Sequence, residues 1–194
     1  EQLEEARRQR LKAEDTQREL ESLQELDDLT VVADIPSVAA RVVSTSASNF
    51  DLTVQIDQGR NDGVALRMPV VTGAGLVGRV VSVSSSRSTV RLITDPTMSV
   101  GVRLATSAEV GVANGRGEGR DLGVDFVAID APVRKDEVAV TSGLQQSQFP
   151  PSIPVGMVTT VEEPTGEFQK LLRIEPVVDL RRLTFVRVLQ WSPA

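Results

Sequence analysis

The chain has 194 residues, a formal net charge of −6, no histidine, no cysteine, no tyrosine and a single tryptophan. Without histidine and cysteine it cannot form a Ser-His-Asp triad, a Cys-His pair or an ordinary zinc site, and few aromatic side chains remain to stack on sugars or bases. It has no run of about 18 apolar residues, so the sequence contains no candidate transmembrane helix.

The acidic charge is concentrated at the N-terminus. Residues 1–30 carry ten acidic and five basic side chains, whereas the remaining residues carry 17 acidic and 16 basic ones. The body is therefore close to neutral, without the basic face that binds phosphate backbones. Nucleic acid is not an expected partner.

Residues 1–30 contain no glycine or proline and are rich in good helix formers, which predicts an α-helical stalk. Leu3, Ala6, Ala13 and Leu20 follow the spacing of a coiled-coil seam, but polar residues occupy the alternate seam positions. Two interpretations stay open: a solvated helix beside the body, or the end of a longer dimeric coiled coil. In the second, these four apolar residues are the dimerisation contacts.

After a linker at 31–37, short runs rich in Val, Ile and Thr are separated by turn residues, which is typical of antiparallel barrels and sandwiches. The runs predict an all-β body of two tandem six-stranded β-barrels, at 38–106 and 107–194, because each module is too small for two thick sheets. This division leaves open whether the last strands cross into the first barrel. The predicted strands are 38–45, 51–57, 69–72, 76–83, 88–94, 98–104, 109–114, 122–129, 137–142, 155–162, 170–176 and 183–189.

The two modules are copies of one repeat. The offset between matching positions grows from 69 to 78 residues, so the second copy carries an inserted loop near 145–152. The matching segments are 71–73 with 140–143, 77–80 with 155–158, and 90–93 with 172–175.

Three motifs that suggest chemistry are better explained as turns. The GxGxxG at 73–78 is followed by a β-branched run rather than by the helix that a dinucleotide site needs. The acidic turn at 57–63 lacks the ligand spacing of a calcium loop. Ser142 has no histidine to take its proton and stands outside any serine–lysine motif. We therefore predict no catalytic, metal or cofactor site, and structural turns at Gly63, Gly73, Gly75, Gly78, Gly143 and Gly156.

The inserted loop is the best sequence candidate for a partner contact. Phe149 and Ile153 lie among prolines in a segment that barrel closure does not require, so a stiff loop would present apolar groups at a low ordering cost. The alternative is that both side chains pack under their own barrel. The glycine-rich stretch 114–121 is expected to be a mobile hairpin loop.

Several segments, taken in order, resemble the extracytoplasmic part of the MreC family of rod shape-determining proteins. They are "DQGRNDGV", "MPVVTGAGLVGRVVSV", "LITDPTMSV", "VTSG", "FPPSIPVGMVTTVE" and "EPVVDLRRL". The sequence departs from the family pattern at two positions. Arg67 stands where the family usually has Gly, and Ser152 stands where it often has Gly.

The resemblance implies a bitopic protein of the bacterial inner membrane, anchored by a transmembrane helix upstream of Glu1, with a coiled coil and two periplasmic β-barrels. It implies a non-enzymatic scaffold of the cell-elongation machinery that organises peptidoglycan synthesis. The implied partners are a second copy of the chain, the elongation-specific penicillin-binding transpeptidase, MreD, RodA and MreB.

Two other functions stay open. One is a degenerate trypsin-like double barrel that binds or hydrolyses peptides, against which the absence of histidine argues. The other is a secreted adaptor for glycans, which the scarcity of aromatic residues disfavours.

Overall fold

The computed structural model describes residue 7 and residues 32–45, 51–144, 148–164, 166 and 168–191. This part of the chain forms twelve antiparallel strands and one short 3-10 turn at Arg60–Asp62. The strands are β1 (Ser37–Thr45), β2 (Thr53–Ile56), β3 (Pro69–Val71), β4 (Leu76–Val83), β5 (Ser88–Leu92), β6 (Ser99–Leu104), β7 (Val110–Asn114), β8 (Leu122–Ala128), β9 (Val138–Thr141), β10 (Pro154–Glu162), β11 (Gln169–Pro176) and β12 (Phe185–Leu189).

All twelve predicted strands are present, with ends that differ by at most two residues. Their side chains alternate between the core and the outside, as in β5, where Ser88, Val90 and Leu92 are buried and the residues between them are partly exposed. This period of two is the pattern that a half-buried pleated strand imposes on its sequence.

The strands close into two six-stranded barrels, which confirms the predicted all-β body. The first barrel has the strand order β1-β12-β3-β4-β5-β2, and the second has the order β10-β11-β8-β7-β6-β9. Closure leaves no free sheet edge in either barrel. The interiors are filled mainly by aliphatic side chains, among them Ile56, Val80 and Val90 in the first barrel and Val102, Leu122 and Ile174 in the second.

The two repeats exchange their sixth strands. Strand β6 follows β5 in the chain but pairs with β7 and β9 in the second barrel. Strand β12 follows β11 but pairs with β1 and β3 in the first barrel. The chain therefore crosses between the barrels twice, at 93–98 and again at 177–184.

This exchange corrects the predicted division at residue 106. The first barrel comprises strands β1 to β5 together with β12, and the second comprises strands β6 to β11. Hydrophobic alternation shows where a strand is and which face it buries, but it does not show which barrel the strand joins. The sequence left open whether the last strands cross into the first barrel. In the structure only the last strand, β12, does so.

The register confirms that Gly78 and Gly156 are equivalent. Gly78 lies in β4 between β3 and β5, and Gly156 lies in β10 between β9 and β11. A β-bulge follows each glycine, between Val80 and Ser82 in one copy and between Val158 and Thr160 in the other.

The third repeat segment needs a two-residue correction. Val90 is paired with Val80, and Ile174 is paired with Val158, so Ile174 corresponds to Val90 rather than to Leu92. A shift of two residues keeps every side chain on the same face of the strand. The hydrophobic pattern therefore does not reveal it.

The predicted stalk, with Leu3, Ala6, Ala13 and Leu20, lies outside the described residues apart from Arg7, so its helix and its dimerisation stay predictions. The end of the linker is held by the last strand, because the Gln190 N–H donates to the Pro36 carbonyl oxygen at 2.7 Å.

Candidate functional site

A buried carboxylate stabilises the first crossing between the barrels, at 93–98. Asp95, which is fully buried, accepts hydrogen bonds from the N–H of Leu52 at 2.9 Å and the N–H of Thr97 at 2.8 Å. The guanidinium Nε of Arg91 lies 3.9 Å from the same carboxylate. Burial raises the pKa of Asp95, but the hydrogen bonds from Thr97 and Leu52 and the charge of Arg91 outweigh it, so the pKa lies below its ordinary value.

The glycine-rich stretch 114–121 begins as a packed element of this junction rather than as the mobile loop that the sequence suggested. The N–H of Gly115 donates to Met98 and the N–H of Gly117 donates to Thr94, at 3.0 and 2.9 Å. A Cβ on Gly115 would lie 2.0 Å from the carbonyl oxygen of Asp95. Glycine is required here because the two backbones touch.

The second contact between the barrels involves the GxGxxG hairpin. A Cβ on Gly75 would lie 2.3 Å from the Pro154 carbonyl oxygen and 2.7 Å from a methyl group of Val177. The hairpin between β3 and β4 therefore packs on the start of β10 and on the second crossing. The motif that resembled a phosphate loop is a backbone-to-backbone contact.

A groove of about 510 Å³ runs along the junction. The first barrel, the glycine-rich loop and the second crossing each supply part of its wall. Its charged lining residues are of both signs: Glu118, Arg120, Asp121, Glu175, Asp179 and Arg181. Within the described ranges there is no group of three or more Asp or Glu side chains that could hold a metal ion.

The described part of the inserted loop, 148–152, packs into the core of the second barrel, and residues 145–147 lie outside the described residues. Phe149 is 1% exposed and Ile153 is fully buried. The Thr141 hydroxyl accepts a hydrogen bond from the Ile153 N–H at 2.9 Å and donates to the Pro150 carbonyl oxygen. Neither apolar side chain is presented to a partner, so the predicted contact surface is corrected to the alternative, packing under the barrel.

The predicted turn glycines occupy turns or close contacts. Gly63 ends the 3-10 turn with φ 85°, and Gly143 has φ 60° against the ring of Pro151. Gly73 lies in the bend between β3 and β4. In the acidic turn at 57–63, Asp62 accepts from the Gly59 N–H at 2.8 Å and Asp57 accepts from the Arg41 N–H at 2.8 Å, so both carboxylates have structural roles.

Three arginines form a basic cluster on the outside of the first barrel, here called the arginine face: Arg67, Arg79 and Arg91. Arg79 and Arg91 are directly paired across β4 and β5. Arg67 is placed beside them by its N–H, which donates to the Val80 carbonyl oxygen at 2.9 Å. Burial and the positive charges of Arg91 and Arg67 lower the pKa of Arg79.

The far end of the second barrel exposes apolar side chains, and we call this surface the distal end: Phe126, Phe168 and Leu171. Their exposed fractions are 67%, 87% and 45%. Phe126 has φ 69° and lies with Asp125 in a bulge opposite Leu171. Neither this surface nor the arginine face was predictable from the sequence, because an isolated aromatic or basic residue in a strand has no distinguishing pattern.

The structure has no helix, among the residues it describes, that is long and apolar enough to cross a bilayer.

The family model for the barrel core of rod shape-determining protein MreC matches residues 42–190. The cell shape-determining protein MreC of Haemophilus influenzae is 29% identical over 77% of this chain and 42% of its own length. This chain thus spans less than half of that relative.

Solved structures share the fold. MreC from Pseudomonas aeruginosa is 30% identical and superposes with a TM-score of 0.76, covering 79% of this chain and 99% of its own. The MreC in a complex with penicillin-binding protein PBP2 from Helicobacter pylori is 18% identical, with a TM-score of 0.61 over 80% of this chain and 98% of its own.

Proposed function

This chain belongs to the MreC family of cell shape-determining proteins, and we propose that it is a non-enzymatic scaffold that organises peptidoglycan synthases during cell elongation. The observation that carries the proposal is the construction of the body. Two closed barrels are joined by exchanged strands, so that their outer faces have a fixed relation to one another. A rigid two-barrel body suits a protein that positions partners.

The partner that we propose first is the elongation-specific penicillin-binding transpeptidase. The Helicobacter pylori relative was solved in complex with a penicillin-binding protein, PBP2, and this supports a contact with a protein of that class here. MreD, RodA and MreB are proposed partners of the complete protein, which a membrane anchor upstream of Glu1 would hold with its barrels on the periplasmic side.

Self-association belongs to the same proposal. The stalk would bring two copies together through Leu3, Ala6, Ala13 and Leu20, which bury little apolar surface unless a second helix covers them. Sedimentation of the full chain beside a chain that starts at Pro36 tests this contact. Equal association of the two would remove the stalk as the dimer element.

The scaffold function is tested by binding of the purified chain to the periplasmic part of its own organism's elongation-specific transpeptidase. We expect saturable binding in biolayer interferometry, and none to a transpeptidase of the division machinery used as the matched control. Peptidase turnover that is abolished by Ser142→Ala would instead support the double-barrel hydrolase. Equal binding to both transpeptidases, or to neither, would contradict the proposal.

A further inference from the structure

The first barrel is the basic part of a body whose total charge is close to zero. Residues 37–92 and 185–191, which build this barrel, hold seven arginines and three aspartates. Residues 93–184, which build the second barrel and the two crossings, hold nine basic and thirteen acidic side chains. The first barrel is therefore net +4 and the rest of the body net −4.

The arginine face brings three of these positive charges together from adjoining segments of the chain. Arg79 in β4 is directly paired with Arg91 in β5, and the Cβ atoms of such a pair are about 4.5–5.5 Å apart. Arg67 lies just before β3, and its N–H donates to the Val80 carbonyl oxygen beside Arg79. Like charges at directly opposite positions destabilise a sheet. The cluster therefore does not serve the stability of the barrel.

The guanidinium groups of this face lack compensating partners. In the portion of the chain that the structure describes, the side chains of Arg67 and Arg79 form neither a hydrogen bond nor an ion pair, although Arg79 is half-buried. Arg91 has the Asp95 carboxylate at 3.9 Å, and its buried Nε has no hydrogen-bond partner among the same residues. Asp95 thus offsets one of the three positive charges and leaves two.

Arg67 is also held in an unfavourable backbone conformation. Its φ is 70°, in the left-handed region that disfavours side chains and that glycine adopts without strain. Strained positions that persist in a fold are concentrated at binding and catalytic sites. The fold thus accepts backbone strain and like-charge repulsion to place three guanidinium groups on one surface, which is expected of a site for an anion.

We propose that the arginine face is a binding site for a terminal phosphate or diphosphate group. A terminal phosphate carries a charge of about −1.5 to −2 at pH 7 and three strong acceptor oxygens, which matches the two uncompensated charges and the three guanidinium groups. Guanidinium groups donate to phosphate oxygens in a fixed fork, so three of them can hold one group from several sides. A single carboxylate offers one charge and two oxygens, and it would leave part of the face unpaired.

The phosphate has two chemical sources, a soluble compound or a lipid headgroup, and Leu66 separates them. This side chain lies next to Arg67 in the same turn and is 61% exposed. An apolar group beside a phosphate site would contact the hydrocarbon part of a lipid, whereas inorganic diphosphate has nothing for it to contact. Replacing Leu66 should therefore weaken binding to a lipid surface and leave diphosphate binding unchanged. The proposal goes beyond the scaffold function and does not depend on transpeptidase binding.

Titration calorimetry of the full chain with inorganic diphosphate, at low salt, tests the site. We expect saturable binding that is at least about tenfold weaker in Arg79→Gln and in Arg67→Gly, because each loses a charge-assisted hydrogen bond. Arg87→Gln, which removes an exposed arginine of the same barrel four residues along the chain from Arg91, is the matched control and should bind like the unchanged chain. Acetate should compete at least about tenfold more weakly than diphosphate. High salt should weaken the binding.

Sedimentation with vesicles tests the lipid source. The vesicles contain equal parts of phosphatidic acid, which has a terminal phosphate, and phosphatidylcholine; the control vesicles contain phosphatidylcholine alone. Binding to the first kind only, lost in Arg79→Gln and weakened in Leu66→Ser, would assign the site to a lipid. Diphosphate binding without vesicle binding would assign it to a soluble compound. Binding to neither probe, or equal loss in Arg87→Gln, overturns the proposal.

Thermal melting separates a binding role of these arginines from a structural one. Arg79→Gln removes a like-charge repulsion and Arg67→Gly relieves the strained turn, so both variants should melt at the same temperature as the unchanged chain or higher while they lose phosphate binding. Unchanged phosphate binding in folded Arg67→Gly and Arg79→Gln overturns the proposal. If these variants lose transpeptidase binding and keep phosphate binding, the face belongs to the transpeptidase. That result overturns this inference and leaves the scaffold function standing.

Discussion

Arg67 and Ser152 share a left-handed backbone conformation, with φ angles of 70° and 69°. Each is held by one backbone hydrogen bond, from Arg67 N–H to Val80 and from Ser152 N–H to Thr141, both at 2.9 Å. They are the two positions where the sequence departs from the glycine that the family resemblance led us to expect. At both positions the chain therefore keeps the left-handed turn, although the residue there is not the glycine that adopts this conformation most easily.

Ser152→Gly should stabilise the second barrel by about 0.5–1 kcal/mol, because relief of the left-handed strain exceeds the added flexibility of the unfolded chain. Urea unfolding measures the change. Ala39→Gly, at an exposed position in the regular part of β1, is the matched control and should destabilise by a similar amount. A loss of stability in Ser152→Gly would show that the serine side chain compensates for the strain.

Gly78→Ala and Gly156→Ala should both destabilise the fold, by about 1–3 kcal/mol or more. A Cβ would lie 1.9 Å from the Arg91 carbonyl oxygen in the first case and 2.5 Å from the Glu175 carbonyl oxygen in the second, so Gly78→Ala should be the more severe. Gly123→Ala is the control, because its Cβ would meet only the flexible Arg116 side chain at 3.3 Å. Denaturant midpoints give the order, and a neutral Gly156→Ala would contradict the close approach.

Asp95→Asn should cost about 2 kcal/mol or more at pH 7, since an amide offers one acceptor oxygen where the carboxylate offers two. The folded pKa of Asp95 is depressed. Its stabilising contribution is therefore fully present above the unfolded pKa of about 3.9 and is lost as the pH falls through the folded value. Unfolding at pH 7 and near pH 3 should show a large difference between the two proteins that narrows in acid. A gap that stays constant with pH would rule out this role of the charge.

Phe149→Ala should destabilise the second barrel by about 3–5 kcal/mol through loss of a buried ring, while transpeptidase binding at a temperature where the variant is folded stays unchanged. Thermal melting and the interferometry described above measure the two effects. Phe168→Ala, 87% exposed, is the matched control and should leave stability unchanged. Weakened binding by a folded Phe149→Ala would restore the inserted loop as a contact.

Local chemistry explains how much could be predicted from sequence. Alternation at residues such as Ser88 to Leu92 marks strands, and the paired glycines mark the repeat, so the elements and the barrels were predictable. The exchange of β6 and β12 was not predictable. Which barrel each of these strands joins depends on the path that the chain takes through the crossings at Asp95 and Val177, and not on the composition of the strands. The prolines around Phe149 suggested an exposed loop. Instead, the hydrogen bonds that the Thr141 hydroxyl makes with this segment hold it against the barrel.

The average charge misled in a similar way. Counting the whole body gives a nearly neutral surface, from which no basic face was expected. The division of that charge between barrels becomes visible only when β12 is assigned to the first barrel and the segment 93–184 to the second.

The exchanged strands should make the two barrels unfold together, because neither barrel is closed unless the other repeat supplies its sixth strand. Trp191, the only tryptophan, packs beside the core at the end of β12 and reports on the first barrel. Ile174→Ala, in the core of the second barrel, should therefore shift the tryptophan fluorescence transition and the far-UV circular dichroism transition to the same lower urea concentration. Val90→Ala, its equivalent in the first barrel, is the matched variant and should behave alike. A fluorescence midpoint that stays fixed in Ile174→Ala while the dichroism becomes biphasic would mean that the barrels unfold independently despite the exchange.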